Sequence, residues 1–242
     1  KWKNIRLRKG KQDAIRGKQF TKLSREIIVA ARAGGGDVNG NPRLRVAIQK
    51  AKEASMPKEN IERSIKRGTG EIEGAAYEEL TYEGYGPGGA AIILECYTEN
   101  KNRTVAEVRH AFSKQGGNLA ENGSVAWQFK RVGEIIVESD GLDEEEFTLQ
   151  AIDAGAEDVE ADEDGFTIYT EVENLHTTND ALEKAGVKTI EAKLTYKPTN
   201  FATPGSDDID KLLKLLDSLD DLDDVQETYV NVTITEDMLQ EA

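Results

Sequence analysis

The apolar residues of this 242-residue chain first change from helical to strand spacing near Tyr77, and that change constrains the fold more than any other feature. Before it, apolar side chains recur every three or four residues, the spacing of one helix face. After it, short alternating or continuous apolar runs predict strands, with amphipathic helices between them. The sequence therefore predicts an α+β protein in which a small helical domain precedes two α/β domains.

Three short helices are predicted before the change, with short connections between them. Glycines at 34–36 end the first helix, and Asn41 and Pro42 begin the second with a side-chain cap and a first-turn proline. Gly68 is expected to end the third helix in the left-handed conformation. Together the helices predict a small bundle at residues 1–74.

The remaining elements predict two α/β domains of ferredoxin-like type. Residues 133–197 give the order strand, helix, strand, strand, helix, strand, which is ferredoxin-like and complete in itself. The set at 77–129, whose last strand is placed at 124–129, lacks a helix and a strand. An amphipathic helix and a strand follow Pro204, so we expect this pair to return and complete a discontinuous domain. The predicted domains are residues 1–74, residues 75–131 with 203–242, and residues 132–202.

The formal net charge of -15 conceals an uneven distribution of charge along the chain. Residues 1–70 hold 19 Lys and Arg against 6 Asp and Glu, a charge of +13, whereas the remainder holds 12 basic and 40 acidic residues, a charge of -28. Such asymmetry is typical of a nucleic-acid-binding module carried on an acidic body. We therefore expect the helical domain to bind nucleic acid through its phosphates.

Basic residues of the first two helices and of the segment before them are the candidate contacts, and Trp2 is available to stack on a base. A second patch is predicted from Arg103, Arg109 and His110; whether His110 faces an RNA phosphate or packs at the surface stays open. The alternative for the N-terminal segment is a basic tail that is solvated or docks on the acidic body of the same chain. The basic candidates are Lys3, Arg6, Arg8, Lys9, Lys11, Arg16, Lys18, Lys22, Arg25, Arg32, Arg43 and Arg45.

No motif in the sequence indicates an enzyme, a cofactor site or a metal site. Gly84–Gly89 has the spacing of a dinucleotide fingerprint, but an apolar strand follows it, which favours a hairpin loop. Cys96 lies in an apolar strand and is predicted to be a core residue, and the acidic run at 220–224 is predicted to be a solvated turn. The single cysteine and the absence of a long apolar stretch indicate a cytoplasmic protein without membrane or small-molecule partners, and we expect a monomer.

Short motifs spread over nearly the whole chain carry a family resemblance. They are Lys1-Trp-Lys-Asn-Ile5, Gln12-Asp-Ala14, Arg16-Gly-Lys18, Phe20-Thr-Lys-Leu23, Arg25-Glu-Ile27, Asn41-Pro-Arg-Leu-Arg45, Met56-Pro57, Asn60-Ile-Glu-Arg63, Tyr82-Glu-Gly-Tyr85, Asn102-Arg-Thr104, Glu107-Val-Arg-His110 and Gly116-Gly-Asn-Leu119. Together they resemble the YebC family. That family includes bacterial proteins described as transcriptional regulators and the mitochondrial translational activator of cytochrome c oxidase.

The resemblance implies a three-domain fold, with a helical first domain and two α/β domains. It also implies an association with ribosomes, where family members help peptide bonds form at stall-prone sequences such as proline runs. Family members usually begin with a short Met-Ala-Gly-His-Ser tail, whereas this chain starts at Lys1, so we expect that tail to lie outside this sequence.

Two functions stay open at this point. One is a translation factor that contacts ribosomal RNA and the tRNA end; the other is a DNA-binding transcriptional regulator. The predicted third helix mixes Lys58 and Arg63 with Glu59 and Glu62, whereas a base-reading helix more often begins with Asn, Gln, Ser or Arg. The sequence therefore favours the translation factor slightly.

Overall fold

The computed structural model describes residues 12–74, 76–138, 141–162 and 165–234, and its description of side chains begins at residue 17. In chain order, the regular elements are α1 (Gln12–Gly34), α2 (Pro42–Glu53), α3 (Lys58–Gly68), β1 (Glu78–Tyr85), β2 (Ala91–Thr98), α4 (Lys101–Lys114), β3 (Asn118–Ala120), β4 (Phe129–Glu138), α5 (Glu144–Asp153), β5 (Asp158–Asp162), β6 (Gly165–Thr170), α6 (Leu175–Lys184), β7 (Thr189–Pro198), α7 (Ser206–Asp220) and β8 (Val225–Val230). The described residues form two compact units. One runs up to Gln128 and resumes at Asn200, and the other is Phe129–Thr199. The predicted α+β class, with a helical start and a discontinuous α/β domain, is confirmed.

In the helical part of the first unit, the side chain of Asn41 links α1 to α2. Its side chain accepts a hydrogen bond from the Leu44 amide (3.1 Å) and thereby caps α2, as predicted. Its Nδ2 donates to the carbonyl oxygens of Ala30 and Gly35, at 2.8 Å each, near the end of α1. One buried side chain therefore satisfies backbone groups of two helices, which fixes how α2 leaves α1.

Gly68 is required for a reason other than the predicted one. The residue with positive φ after α3 is Gly70 (φ 82), not Gly68. A Cβ on Gly68 would lie 2.5 Å from the carbonyl oxygen of Ile28 and 2.6 Å from the Cβ of Ala31. The missing side chain therefore lets α3 pack closely on α1. The prediction was wrong because a helix-end pattern carries no information about the neighbouring helix.

The first sheet has the strand order β3-β1-β2-β8, and every neighbouring pair is antiparallel. The loop at Gly84–Gly89 is a hairpin connection, as predicted, and contains one 3-10 turn. The C-terminal elements α7 and β8 return to this sheet. Side chains of α4 and α7 pack on one sheet face and form its core; its largest members include Phe112, Ile92, Leu94, Leu212 and Leu215.

The strand predicted at 124–129 is wrong. The edge strand is the three-residue β3, which pairs with β1, and residues 126–128 form a 3-10 turn before β4 begins at Phe129. The amides of Gly123, Val125 and Ala126 donate to the carboxylate of Glu83 instead of to a neighbouring strand. A side chain from β1 has therefore replaced a strand ladder, which residue periodicity alone does not reveal.

The second unit confirms the predicted βαββαβ order. Its sheet order is β5-β6-β4-β7 with antiparallel neighbours, the arrangement of a ferredoxin-like fold. Helices α5 and α6 supply buried residues to its core, in which the rings of Phe147 and Phe166 have centroids 4.5 Å apart.

Candidate nucleic-acid interface

The predicted contacts divide first by whether the structure describes them. Trp2, Lys3, Arg6, Arg8, Lys9 and Lys11 lie outside the described residues, and Arg16 is described only as part of the backbone of α1. Their assignment to nucleic acid stays a prediction. The remaining candidates fall into three groups with different surroundings.

The first group, on α1, docks on the acidic loop at 220–224. The Nζ of Lys18 lies 3.2 Å from the Asp221 carboxylate, and the Nζ of Lys22 donates to the carbonyl oxygen of Asp220 (2.9 Å). Arg25 is buried; its Nη1 lies 2.9 Å from the Asp224 carboxylate and also donates to the carbonyl oxygen of Asp223. This is the intramolecular docking that the sequence left as an alternative, observed for these three residues.

Asp224 is the centre of this contact, which we call the Asp224 cluster: Asp224, Arg25, Arg103, Thr98 and Thr104. The Nη2 of Arg103 donates to both Asp224 carboxylate oxygens (3.1 and 2.9 Å), and the hydroxyls of Thr104 (2.7 Å) and Thr98 (3.1 Å) donate to one of them. Burial acts to raise the pKa of Asp224, but the hydrogen bonds from Arg103 and Thr104 and the charge of Arg25 outweigh it, so the pKa is lowered. The cluster therefore holds an ionised carboxylate in the interior.

The acidic run was predicted to be a solvated turn, and for two of its residues that is wrong. Asp224 exposes 1% of its surface and Asp220 exposes 8%. Asp220 accepts a hydrogen bond from the Thr228 hydroxyl (2.9 Å), so its side chain is also part of the folded structure. For Asp224, the partners that make such burial tolerable include Arg25 of α1 and Arg103 of α4, both distant in sequence.

The second group, on α2, is also engaged within the chain. Arg43 forms a two-pronged pair with the Glu79 carboxylate (2.9 and 3.2 Å) and donates to the Tyr97 hydroxyl (2.7 Å). Burial acts to lower the pKa of Arg43, but the hydrogen bond to Glu79 and nearby negative charge raise it further above its ordinary value. Arg45 is exposed and donates to the carbonyl oxygens of Val38 (3.3 Å) and Asn39 (3.1 Å).

The third group consists of exposed cations whose side chains form no ion pair or hydrogen bond with the described part of the chain. It includes Arg32, the one predicted contact of this kind among the helical-domain residues whose side chains are described, and four residues that the sequence prediction missed. We call these five the open cations: Arg32, Lys52, Arg63, Lys66 and Arg67. A Cβ on Gly68 would lie 3.3 Å from the amide of Arg32, so the chain at Arg67 and at Arg32 runs close together. Charge counts along the sequence include these residues, but only the lack of a side-chain partner in the described part of the chain separates them from the paired ones.

The predicted second patch is divided by the structure. Arg103 is paired with Asp224, whereas Arg109 and His110 are exposed on α4 and have no partner among the described side chains. Arg103 therefore serves the Asp224 cluster, and the role of Arg109 and His110 at a phosphate stays a prediction.

Other chemical groups do not form a second kind of site in the described chain. Cys96 is buried as predicted, and burial raises the pKa of its thiol to about 12. The described residues contain no group of three or more His, Cys, Asp or Glu placed to hold a metal ion. None of the described helices is both long enough and apolar enough to cross a membrane.

Comparisons with known proteins cover almost the whole chain. Residues 1–71 match the N-terminal domain of the TACO1/YebC protein family, and residues 77–232 match the second and third TACO1/YebC domains. A probable transcriptional regulatory protein of Persephonella marina is 54% identical over 99% of this chain and 97% of its own length. One of the same description from Thermotoga maritima is 52% identical over 100% of this chain and 95% of its own length.

A solved structure agrees with the sequence comparison. The crystal structure of a conserved hypothetical protein from Aquifex aeolicus is 49% identical and covers 93% of both chains, with a TM-score of 0.85. The resemblance found in the sequence motifs is therefore confirmed, and the chain belongs to the TACO1/YebC family.

Proposed function

We propose that this chain is a nucleic-acid-binding regulator of gene expression that acts in translation, as a cytoplasmic, monomeric, ribosome-associated factor rather than an enzyme. It binds ribosomal RNA and tRNA through its basic helical domain and relieves stalling at difficult sequences such as proline runs. The observation that carries this proposal is the +13 charge of residues 1–70, set against -28 for the remainder. Phosphate neutralisation is the ordinary use of such a surface.

The open cations support an interface on the helical domain. Five cations of the bundle remain exposed after the paired ones are set aside, and Arg32 and Arg67 lie on neighbouring segments. Exposed cations near a polyanion release its condensed counterions, so binding should weaken steeply as salt rises. The acidic body limits binding elsewhere on the protein, which directs a polyanion to the helical domain.

RNA is favoured over a DNA sequence because α3 is a poor base-reading helix. Its exposed residues include Glu59 and Glu62, and Lys58 lies 3.6 Å from Glu62 in an ion pair along the helix. Neither carboxylate is among the Asn, Gln, Ser and Arg side chains with which a base-reading helix more often begins. A second candidate, a DNA-binding transcriptional regulator, is supported by the names of the relatives, which are described as probable transcriptional regulatory proteins.

The test is co-sedimentation with ribosomes from a cell lysate at physiological salt. We compare the unaltered chain with a variant carrying Arg6→Glu, Arg8→Glu, Lys9→Glu and Lys11→Glu. A matched control carries Lys184→Glu, Lys188→Glu, Lys211→Glu and Lys214→Glu, which changes the net charge equally on exposed positions outside the helical domain. The proposal expects the unaltered chain and the control to travel with ribosomes and the first variant to stay behind.

Two further results separate the candidates. Added protein should shorten pausing at a proline run in a reconstituted translation reaction, and the first variant should not. The outcome that favours the transcriptional candidate has two parts. Neither the unaltered chain nor any variant co-sediments with ribosomes, and the unaltered chain selects particular promoter fragments against excess competitor DNA.

A further inference from the structure

Trp127 is an exposed aromatic ring whose orientation is fixed. The residue exposes 67% of its surface, yet its indole N–H donates to the carbonyl oxygen of Ser124 (3.0 Å). The hydroxyl of Tyr85 donates to the same carbonyl (2.8 Å), which ties that turn to strand β1. A large apolar ring is therefore held in solvent rather than folded back onto the core.

The loop that carries Trp127 is fixed before any partner binds. Glu83, which is 5% exposed, accepts hydrogen bonds from the amides of Gly123 (2.6 Å), Val125 (2.7 Å) and Ala126 (2.9 Å). Val125, two residues before Trp127, is fully buried. A ring presented by such a loop loses little conformational freedom on binding, which favours affinity.

A second exposed ring lies in the same region. Asn231 is 1% exposed, and its Nδ2 donates both to the side-chain oxygen of Gln128 (2.9 Å) and to the carbonyl oxygen of Asn200 (3.0 Å). Phe201, which is 57% exposed, follows Asn200 directly, just as Trp127 precedes Gln128. One buried amide therefore brings together two segments that each present an exposed aromatic side chain.

The Trp127 loop lies over the same sheet face as the basic helical domain. Arg43 of α2 binds Glu79 on β1, and Glu83 binds the loop four residues farther along the same strand. Residues four apart in a strand face the same side, about 13 Å apart. The other face is occupied by α4, because a Cβ on Gly84 would lie 2.5 Å from the Phe112 ring. The helical domain and the Trp127 loop therefore contact β1 on one face of the sheet, at points about 13 Å apart.

We propose that Trp127 is a stacking platform for an unpaired nucleobase of single-stranded RNA whose phosphates are held by the helical domain. The proposal rests on the proposed function and names the part of the RNA that this loop recognises. Exposed aromatic rings beside a basic surface are how proteins hold unpaired bases. A protein partner fits less well, since Trp127, Phe201 and Ile72 are the exposed large apolar side chains in the described part of this unit, too few for an interface core.

The test uses the full chain in a Trp2→Phe background, which leaves Trp127 as the only tryptophan. Single-stranded RNA homopolymers of about a dozen nucleotides are titrated in. Quenching is read from the fluorescence of Trp127, and the affinity of each variant from the fluorescence anisotropy of labelled RNA, because Trp127→Ala and Trp127→Phe contain no tryptophan in this background. We expect RNA to quench the fluorescence, and Trp127→Ala to weaken binding roughly five- to a hundredfold. Trp127→Phe should recover most of that loss, and the salt dependence should not change, because no cation is removed.

Leu149→Ala is the matched control, since Leu149 is an apolar side chain of nearly equal exposure (65%) on α5 of the other unit. Thermal unfolding of each variant verifies that its fold is retained. Unchanged affinity of Trp127→Ala, unquenched fluorescence, or an equal loss in Leu149→Ala overturns the proposal.

The inference and the proposed function fail in distinguishable ways. If reversing the charges at Arg6, Arg8, Lys9 and Lys11 abolishes RNA binding while Trp127→Ala leaves it intact, the stacking platform is wrong and the RNA-binding function stands. If the unaltered chain does not bind RNA at physiological salt, both are wrong.

Discussion

Two sets of cations in the helical domain share residue types and differ in what surrounds them. On α1, Lys18, Lys22 and Arg25 meet the acidic loop at 220–224. The open cations, such as Arg63 and Lys66, face solvent without a partner in the described chain. Net charge along the sequence counts both sets equally. Only the second set is available to a phosphate without breaking a contact of the folded protein.

The comparison shows how one charge can serve opposite purposes. A carboxylate at the position of Asp224 offers Arg25 what a phosphate would offer, two acceptor oxygens and a negative charge. The buried pair of Arg25 and Asp224 contributes to holding the helical domain against the first sheet. Separating the two side chains would leave each charge without its partner. The paired set should therefore govern stability, and the open set should govern binding.

The largest effect is expected at Asp224. Replacing Asp224 with Ala leaves Arg25, whose side chain is 10% exposed, without its carboxylate, and should lower the free energy of unfolding by about 3–5 kcal/mol. Urea unfolding followed by circular dichroism measures it. Asp221→Ala is the control, because that side chain is 52% exposed and pairs with a lysine at the surface. Equal losses in the two variants would contradict a special role for the buried pair.

A second effect is expected on RNA affinity from the open cations. Arg63→Glu, Lys66→Glu and Arg67→Glu together should weaken single-stranded RNA binding tenfold or more. They should also reduce the magnitude of the negative slope of log affinity against log salt by about 2, so that binding depends less on salt. The free energy of unfolding should change little, since these side chains are exposed. Fluorescence anisotropy at several salt concentrations measures the slope. The control is Lys184→Glu with Lys211→Glu and Lys214→Glu, and a similar loss there would show that net charge alone matters.

A third effect concerns pH and again involves Asp224. Because the folded state lowers the pKa of this carboxyl, its contribution to stability is complete above the ordinary value and is lost as the pH falls through the lowered value. The difference in unfolding free energy between the unaltered chain and Asp224→Asn should therefore shrink below about pH 4. Urea midpoints measured from pH 7 to pH 2 test this. A difference that stays constant to the lowest pH would mean that the charge of Asp224 is not what stabilises the cluster.

The smallest effect is expected at Lys18. Its ion pair with Asp221 joins two side chains that are each about half exposed, so Lys18→Gln should cost about 0–1 kcal/mol of unfolding free energy. RNA affinity should also change little, since this cation already has a partner. A large loss of RNA binding, measured in the same anisotropy assay, would place Lys18 in the interface and break the distinction between paired and open cations.

The sequence predicted the regular elements well where a repeating pattern existed. The βαββαβ order of 133–197 and the cap at Asn41 follow from local residue spacing, and both are observed. The prediction of a strand at 124–129 was wrong because the Glu83 carboxylate, forty residues earlier, accepts hydrogen bonds from the amides of that segment. Trp127 was missed as a consequence, because the failed prediction placed it inside a strand. A tryptophan inside a predicted strand gives no sign that its side chain faces solvent.

By itself, the sequence determined the class of the fold, the family, and the placement of positive charge in the first seventy residues. These depend on residue type and short-range spacing. Only the tertiary structure decided which cations remain open, because the partners of Arg25 and Arg103 come from a loop at 220–224 that the chain reaches much later. It also decided that Gly68 is needed for contact with α1, since close packing is a property of two segments together.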